Sequence, residues 1–274
     1  MNKENVFFNI GQQLYNEYTP LKSTKELHSF LIDTFLDNSF DASTITMNNT
    51  RFIFNDFILK YYPNEAVIKS SFIDNVLLKY KDHSTTIFEL NSGKSRVDLC
   101  KINGISIAFE IKTDLDNFNR LQKQIHDYML LFEKVYVICS VKNVNYISDF
   151  IPNNCGIFSY YVTHTGKYIF KKERDARYSK NISSSAQLSL FTQSELDYNF
   201  KINTFHSKKE KIDFILRNYT DEEINKMFKL NFKKKYSKNW QFLKNNYSEI
   251  FEIDYQWFFK NNISPELLYG KATL

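Results

Sequence analysis

Residues 96–112 read "RVDLCKINGISIAFEIK", and this stretch decides the fold that the sequence predicts. Two runs that alternate between apolar and polar residues flank the pair Asn103-Gly104, which is typical of a hairpin turn. Side chains alternate across a strand, so burying the apolar residues of both runs together leaves the others on one face. That face is predicted to carry Asp98, Glu110 and Lys112.

The length of the turn determines whether these charges meet. A two-residue turn would place Asp98 opposite Phe109 and break the parity, whereas a three-residue loop ending in Gly104 places it opposite Ala108. Glu110 would then lie diagonally across from Asp98, within ~7–8 Å at the Cβ atoms. Two carboxylates could converge there on one cation. A salt bridge from the lysine on a solvated sheet face is the alternative reading of the same residues.

The flanking sequence extends the hairpin into an α/β core. "TTIFEL" and "KVYVICS" have the composition of strands, and "NFNRLQKQIHDYMLLF" between the hairpin and "KVYVICS" predicts a helix. A helix between two strands implies a crossover and a parallel pair. We predict four regions, which are a helical N-terminal region (1–60), the α/β core (61–172), a linker (173–206) and a basic, aromatic-rich helical C-terminal region (207–274).

Composition limits the class of protein. Of the 274 residues, 43% are hydrophobic and 17% aromatic, which fits a folded chain. No apolar run approaches the ~20 residues of a membrane span, and the N-terminal residues lack the apolar segment of a signal peptide. The three cysteines have no CxxC spacing, which favours reduced thiols. We expect a cytoplasmic protein without a membrane partner.

Positive charge is concentrated near the C-terminus. Residues 201–247 contain 12 Lys and Arg against 5 Asp and Glu, whereas the whole chain has a net charge of only +5. Such a segment suggests a polyanion as partner, because neutralising phosphates drives affinity for nucleic acids. Lys233, Lys234 and Lys235 are its densest group. A solvated helical face is the alternative.

The spacing of the charges resembles a known family. Asp98, then Glu110 and Lys112 after a turn, then a helix with Gln124 and Tyr128, is similar to the PD-(D/E)XK nuclease superfamily, and the helix resembles the Gln-x-x-x-Tyr motif of its RecB-type members. Residues 60 to 165 are most similar to poorly characterised small bacterial proteins of that superfamily. The chain departs from the pattern in one place, since a valine precedes the aspartate where the superfamily has its namesake proline.

This resemblance implies a fold and a site. The fold is α/β, with a restriction-endonuclease-like core, a mixed sheet flanked by helices, and helical N- and C-terminal additions. Asp98, Glu110 and the main-chain carbonyl of Ile111 would hold Mg²⁺, for which Mn²⁺ would substitute. Lys112 would stabilise charge on the phosphate or hold the attacking water.

Further residues are implied with less definite roles. In relatives an acid from the preceding helix joins the site, and Glu65 is the first candidate here. An N-terminal acid offsetting the helix dipole is an equal alternative for that residue. Glu89 is the second candidate. Gln124 and Tyr128, one helical turn apart, would contact substrate or tune the site.

The sequence therefore predicts a metal-dependent endonuclease that hydrolyses phosphodiester bonds, DNA before RNA, in defence or mobile-element biology. A homodimer is compatible with this prediction. The competing hypothesis is a module that retains the fold without cutting, and that binds nucleic acid or another protein.

Overall fold

The computed structural model describes residues 3–79, 83–93 and 95–270. The chain forms two compact units. The first is made of the described residues in three stretches, Met1–Leu78, Val162–Ile169 and Phe242–Leu274. The second is made of those in two stretches, Lys79–Tyr161 and Phe170–Gln241. These limits differ from the boundaries predicted at 60, 172 and 206, and the division into functional regions stays a prediction.

A mixed sheet organises the fold. Within the described residues its six strands are β1 (Thr85–Asn91), β2 (Arg96–Asn103), β3 (Ile105–Lys112), β4 (Lys134–Ser140), β5 (Gly156–Val162) and β6 (Tyr168–Arg174). They are hydrogen-bonded in chain order, β1 to β6. The first three pair antiparallel, whereas β3, β4 and β5 pair parallel.

Helices precede, interrupt and follow the sheet. Before it come α1 (Lys3–Glu17), α2 (Thr24–Asp37), α3 (Thr50–Tyr61) and α4 (Glu65–Phe72). Between strands lie α5 (Leu121–Met129) and α6 (Val144–Phe150). After the sheet come α7 (Ser184–Ser189), α8 (Gln193–Phe200), α9 (Lys208–Asn218), α10 (Asp221–Asn246), α11 (Tyr255–Asn261) and α12 (Pro265–Tyr269). In the described part of the chain, no helix has both the length and the apolar character needed to cross a bilayer. The predicted fold class, α/β with helical N- and C-terminal additions, is confirmed.

The hairpin turn is tighter than predicted. Asn103 and Ile105 pair directly, and Gly104 alone joins the strands. Its φ is +73°, a backbone conformation that residues with a Cβ rarely adopt, so a glycine is favoured at this position. The register therefore moves by two residues from the predicted one, so that Ala108 pairs with Cys100 and not with Asp98. A shift of two preserves the alternation, so the predicted faces are unchanged.

The crossover follows the prediction. Helix α5 connects β3 to β4, and the two strands are parallel, with Glu110 opposite Val137 and Lys112 opposite Cys139. Strands buried on both faces read as nearly continuous apolar runs. In β2 and β3 both faces are buried, because the apolar Leu99 and the polar Asp98 are each almost inaccessible to solvent. The polar face of the hairpin is thus inside the protein.

The stretch 173–206, predicted to be a linker, contains regular structure. Helices α7 and α8 lie within it and bury Leu188, Leu196 and Phe200. Gln187 Nε2 also donates to the carbonyl of Leu131, at 2.9 Å. The polar composition of this segment belongs to its exposed faces and not to an extended connection.

A capping box begins the second helix of the first unit. The Ser23 side chain accepts from the Glu26 amide, and the Glu26 carboxylate accepts from Ser23 N at 3.0 Å, which is a capping box. Gly11 in α1 allows close packing, since a Cβ there would lie 2.9 Å from Cβ of Tyr62.

Candidate metal centre

Three carboxylates form a row across neighbouring strands. Leu99 pairs with Phe109, so the next position places Asp98 opposite Glu110. In the register of β1 and β2, Glu89 stands opposite Asp98 on the other side. A carboxylate oxygen of Glu89 lies within 4.8 Å of one of Asp98. We call these three residues, Glu89, Asp98 and Glu110, the acidic row.

The backbone of Glu89 is strained. Its φ is +55°, a left-handed conformation inside a strand whose pairing continues on both sides. Such a conformation costs on the order of 1–3 kcal/mol in a residue with a side chain, and it persists only where the surroundings enforce it. Arg96 Nε forms an ion pair with the Glu89 carboxylate, which is one such constraint.

Asp98 is held by the main chain of the next strand. Its Oδ2 accepts a hydrogen bond from the Ile111 N–H, at 2.7 Å. This bond fixes the carboxylate toward β3, on the face that also carries Glu110. The carbonyl of Ile111 was predicted to be a metal ligand, and that role stays a prediction.

Lys112 pairs with the row. Its Nζ lies 2.8 Å from Oε1 of Glu110. Burial lowers the pKa of Lys112, but the charge and hydrogen bond of Glu110 and the charge of Asp98 raise it by more, so the net shift is upward. The lysine is therefore a cation at neutral pH and not a general base.

The site is enclosed. Asp98 is 7% exposed, Glu110 1% and Lys112 9%. Enclosure also makes every uncompensated charge in the row costly.

Tyr128 contacts the acidic row directly. Its hydroxyl lies 2.7 Å from Oε2 of Glu110 and 2.7 Å from the carbonyl oxygen of Arg96. One hydroxyl proton can serve only one of these acceptors at a time. Burial first, and then the charge of Glu110, raises the pKa of Tyr128, so the phenol stays neutral. Gln124, one turn earlier, has a buried Oε1 that accepts no hydrogen bond within the described residues.

Glu65 belongs to the first unit. It is the first residue of α4, after the N-cap Asn64, and its carboxylate pairs with Lys69 Nζ at 2.9 Å. This is the arrangement of an N-terminal acid in an i,i+4 ion pair. A catalytic role for Glu65 stays a prediction.

The three basic candidates lie on α10. Lys234 and Lys235 are exposed, and Lys233 is half-buried. Lys235 pairs with Glu195 at 2.9 Å. Their role in binding nucleic acid stays a prediction.

Sequence reasoning understated two residues of this site. Glu89 was only the second candidate for an additional acid, and Arg96 received no role. The signal for Arg96 was present in the parity of β2, since Arg96 and Asp98 are two positions apart and share a face. The left-handed backbone of Glu89 has no counterpart in the sequence pattern.

Comparison with known proteins identifies a phage family. A model of the family "Bacteriophage P4 protein cII" matches residues 60–256, more than half of the chain. Protein cII of Enterobacteria phage P4 is 30% identical over 101 residues, which are 37% of this chain and 38% of that protein. The match thus spans about two fifths of the length of that curated relative. No solved structure matches.

The family assigned from the motif is therefore wrong. The match is to the P4 cII family and not to a named family of PD-(D/E)XK nucleases. Asp-x(11)-Glu-x-Lys consists of three residues on a hairpin, and alternating strands produce such triplets without common descent. Any functional argument must come from the geometry of this chain.

Proposed function

Because this chain belongs to the bacteriophage P4 protein cII family, whose name describes no chemistry, we propose its function from the acidic row: metal-dependent hydrolysis of phosphodiester bonds, with DNA as the first candidate substrate. The observation that supports this proposal is the approach of the Glu89 and Asp98 carboxylates in the second unit, beside Glu110 and the lysine that it pairs with, Lys112.

The charges of the site fit a divalent cation. The carboxylates of the row are grouped on one face, and Arg96 pairs with Glu89 while Lys112 pairs with Glu110. Buried charges in proteins are paired or coordinate metals, so grouped carboxylates in an enclosed site are candidate metal ligands. Carboxylate oxygens are the ligands that Mg²⁺ and Mn²⁺ prefer. Asp98, Glu110 and Glu89 would hold the ion.

A bound divalent cation would supply the charge that acidifies a water and polarises a phosphoryl oxygen. The residues of the chain orient the reaction. The Ile111 amide holds Asp98, and the Tyr128 hydroxyl holds Glu110, so that both carboxylates are fixed before substrate arrives. Lys112 carries a fixed positive charge beside Glu110, where it can stabilise the negative charge that develops on the phosphate.

One observation favours the non-cleaving alternative. Lys112 and Glu110 already satisfy each other at 2.8 Å, as they would in a purely structural ion pair. A protein that retains the site only for stability would bind nucleic acid, or another protein, without cutting it. Cleavage activity distinguishes the two functions.

A cleavage assay tests the proposal. Duplex DNA, single-stranded DNA and RNA are incubated with the full chain in Mg²⁺, in Mn²⁺ and in EDTA. We expect cleavage of at least one substrate with metal, none with EDTA, and none by Glu110→Gln. The matched control is Asp127→Asn. Asp127 lies on α5 outside the acidic row, and its carboxylate accepts a hydrogen bond from Ser95 Oγ at 2.7 Å.

Two results contradict the proposal. One is the absence of cleavage on all substrates by a folded preparation. The other is equal activity of wild type and Glu110→Gln, which would assign the cleavage to another site or to a contaminant.

A further inference from the structure

A pocket on the second unit contains an unsatisfied donor. It lies between α8 and α10 and has a volume of about 370 Å³. Among its lining residues, Asn231 is only 9% exposed, yet its Nδ2 has no hydrogen-bond partner in the described part of the chain. A buried polar group without a partner is uncommon and needs a reason.

Neighbouring hydrogen bonds fix the orientation of this amide. Asn199 Nδ2 donates to the Glu195 carbonyl at 2.7 Å, which identifies that atom of Asn199 as nitrogen. The same Nδ2 donates to Asn231 Oδ1 at 2.9 Å. Rotating the Asn231 amide would set two donors against each other, so its Nδ2 is the atom that lacks a partner. The group that completes it must be a hydrogen-bond acceptor.

One of the two lysines that line the pocket gives it a net positive charge. Lys235 is neutralised by Glu195, at 2.9 Å. Lys234 instead donates to the Tyr198 hydroxyl at 2.8 Å, and its Nζ lies 4.2 Å from the centre of that ring. No carboxylate pairs with Lys234 in the residues that the structure describes. The acceptor that suits this pocket is therefore an anion.

An aromatic ring borders the same pocket. Tyr198 is 69% exposed, which is unusual for a large aromatic side chain. A positive groove beside an exposed ring is the arrangement by which proteins bind single strands, since the phosphate meets the cation and the base stacks on the ring. Bases in a duplex are already stacked on one another, so only an unpaired base can reach this ring.

We propose that the pocket binds a single-stranded segment of nucleic acid, with a phosphate oxygen at Asn231 Nδ2 and Lys234 and a base against Tyr198. The choice of a nucleic acid over another polyanion rests on the proposed nuclease function. The volume suits this ligand, because about 300 Å³ is the lower limit for small-molecule sites and one nucleotide is a small ligand. The pocket would make single-stranded or locally opened nucleic acid the preferred substrate.

The test measures binding without cleavage. Fluorescence anisotropy follows a labelled oligothymidine, and the same sequence in a duplex, on the full chain in EDTA. Tyr198→Ala should weaken binding of the single strand about tenfold, since stacking on one aromatic residue contributes roughly that factor or more. Tyr198→Phe keeps the ring and should bind within a few-fold of wild type.

A second variant tests the amide. Asn231→Asp retains the oxygen that accepts from Asn199 but replaces the free donor by a negative oxygen, so it should also weaken binding of the single strand. Tyr178→Ala is the matched control, because Tyr178 is exposed and has Lys134 Nζ 5.1 Å from its ring, away from the pocket. This control should bind as wild type does. Thermal unfolding verifies that each variant is folded.

Several outcomes overturn the inference. They are binding by Tyr198→Ala within twofold of wild type, equally weakened binding in Tyr198→Ala and Tyr178→Ala, or a preference for the duplex. Displacement of the strand by inorganic phosphate with no effect of Tyr198→Ala would mean that the pocket binds phosphate alone.

The two proposals can fail separately. A chain that binds single strands through Tyr198 but cleaves nothing contradicts the proposed function alone. A chain that cleaves while Tyr198→Ala binds normally contradicts this inference alone.

Discussion

Both units bury carboxylates, but they compensate them in different ways. In the second unit Glu89, Asp98 and Glu110 stand side by side, and a lysine, Lys112, pairs with the last of them. Like charges at neighbouring positions repel, so this grouping is stable only with cations beside it.

In the first unit two buried acids accept hydrogen bonds from tyrosine hydroxyl groups. Asp254 is 1% exposed, and its Oδ2 accepts from the Tyr18 hydroxyl at 2.8 Å and the Tyr269 hydroxyl at 2.5 Å. Burial raises the pKa of Asp254 to about 6. Asp74 accepts from the Tyr255 hydroxyl, and burial raises its pKa to about 7. Burial therefore favours the protonated form of both acids.

The difference shows what identifies a candidate metal centre. Burial of an acid is common to both units and carries no functional information. The grouping of several acids with a fixed cation occurs at the acidic row, and this feature supports the proposed metal centre. Variants that separate burial from grouping test the distinction.

The largest effect is expected at the lysine. Lys112→Ala should lower the rate of cleavage on the order of 10²–10³-fold, which is the usual reduction for one electrostatic stabiliser of a transition state. Binding of nucleic acid should change far less, because one phosphate contact is a small part of the total. Rates and affinities are measured in parallel, with the exposed Lys123→Ala on α5 as control. Turnover within a few-fold of wild type would show that Lys112 has only a structural role.

A smaller effect is expected at the tyrosine that holds Glu110. Tyr128→Phe keeps the buried ring but removes the hydroxyl, so the affinity for Mn²⁺ should fall by about 10-fold, as for other partners of metal ligands. The control is Tyr136→Phe, because the Tyr136 hydroxyl lies 3.2 Å from Asp175 and not in the row. Calorimetric titration measures both affinities. Equal affinities for Mn²⁺ in the two variants would mean that the bond between Tyr128 and Glu110 does not support a metal.

The free energy of unfolding should depend on pH through Asp74, which lies in the first unit and outside the acidic row. In the folded protein the pKa of Asp74 is about 7, above its usual value of 3.8. As the pH rises, the unfolded chain therefore loses this proton at a lower pH than the folded protein does. The free energy of unfolding decreases over this range, up to about pH 7. Between pH 5 and pH 8 this group should account for a decrease of about 2 kcal/mol in the free energy of unfolding. Asp74→Asn should lack that decrease in urea unfolding at the two pH values. The same pH dependence in the variant and in wild type would contradict the raised pKa.

The smallest effect is expected on α10. Replacing Lys233, Lys234 and Lys235 by Ala should flatten the salt dependence of nucleic-acid binding, by about one unit of slope for each phosphate that a lysine no longer neutralises. The effect should be less than three units, because Lys235 already pairs with Glu195. Binding is measured over a series of salt concentrations. An unchanged slope would make this segment a solvated helical face.

Sequence alone predicted the faces of the hairpin but not its register. Alternation in residues 96–112 placed Asp98, Glu110 and Lys112 together, since parity depends only on which residues are apolar. The register depends on the turn, and Asn103 pairs with Ile105 around a single glycine. Composition does not specify so tight a turn.

Two other features of the site could not be predicted from the sequence pattern. The position of Glu89 in the row depends on a left-handed backbone that the surrounding strands enforce, and its residue type gives no sign of it. The contact between the Tyr128 hydroxyl and Glu110 forms only when the crossover brings α5 over the sheet. Both features arise from tertiary packing, which local patterns do not encode.

Calorimetry of Mn²⁺ binding tests whether the acidic row is a metal centre. The proteins compared are wild type, Asp98→Asn and Asp254→Asn. Both substitutions replace a buried acid by its amide, one within the row and one outside it. We predict that wild type and Asp254→Asn bind Mn²⁺ alike, and that Asp98→Asn binds at least tenfold more weakly, the lower limit for disturbing a metal site. Equal binding by Asp98→Asn and wild type, or no binding by folded wild type, would contradict the account.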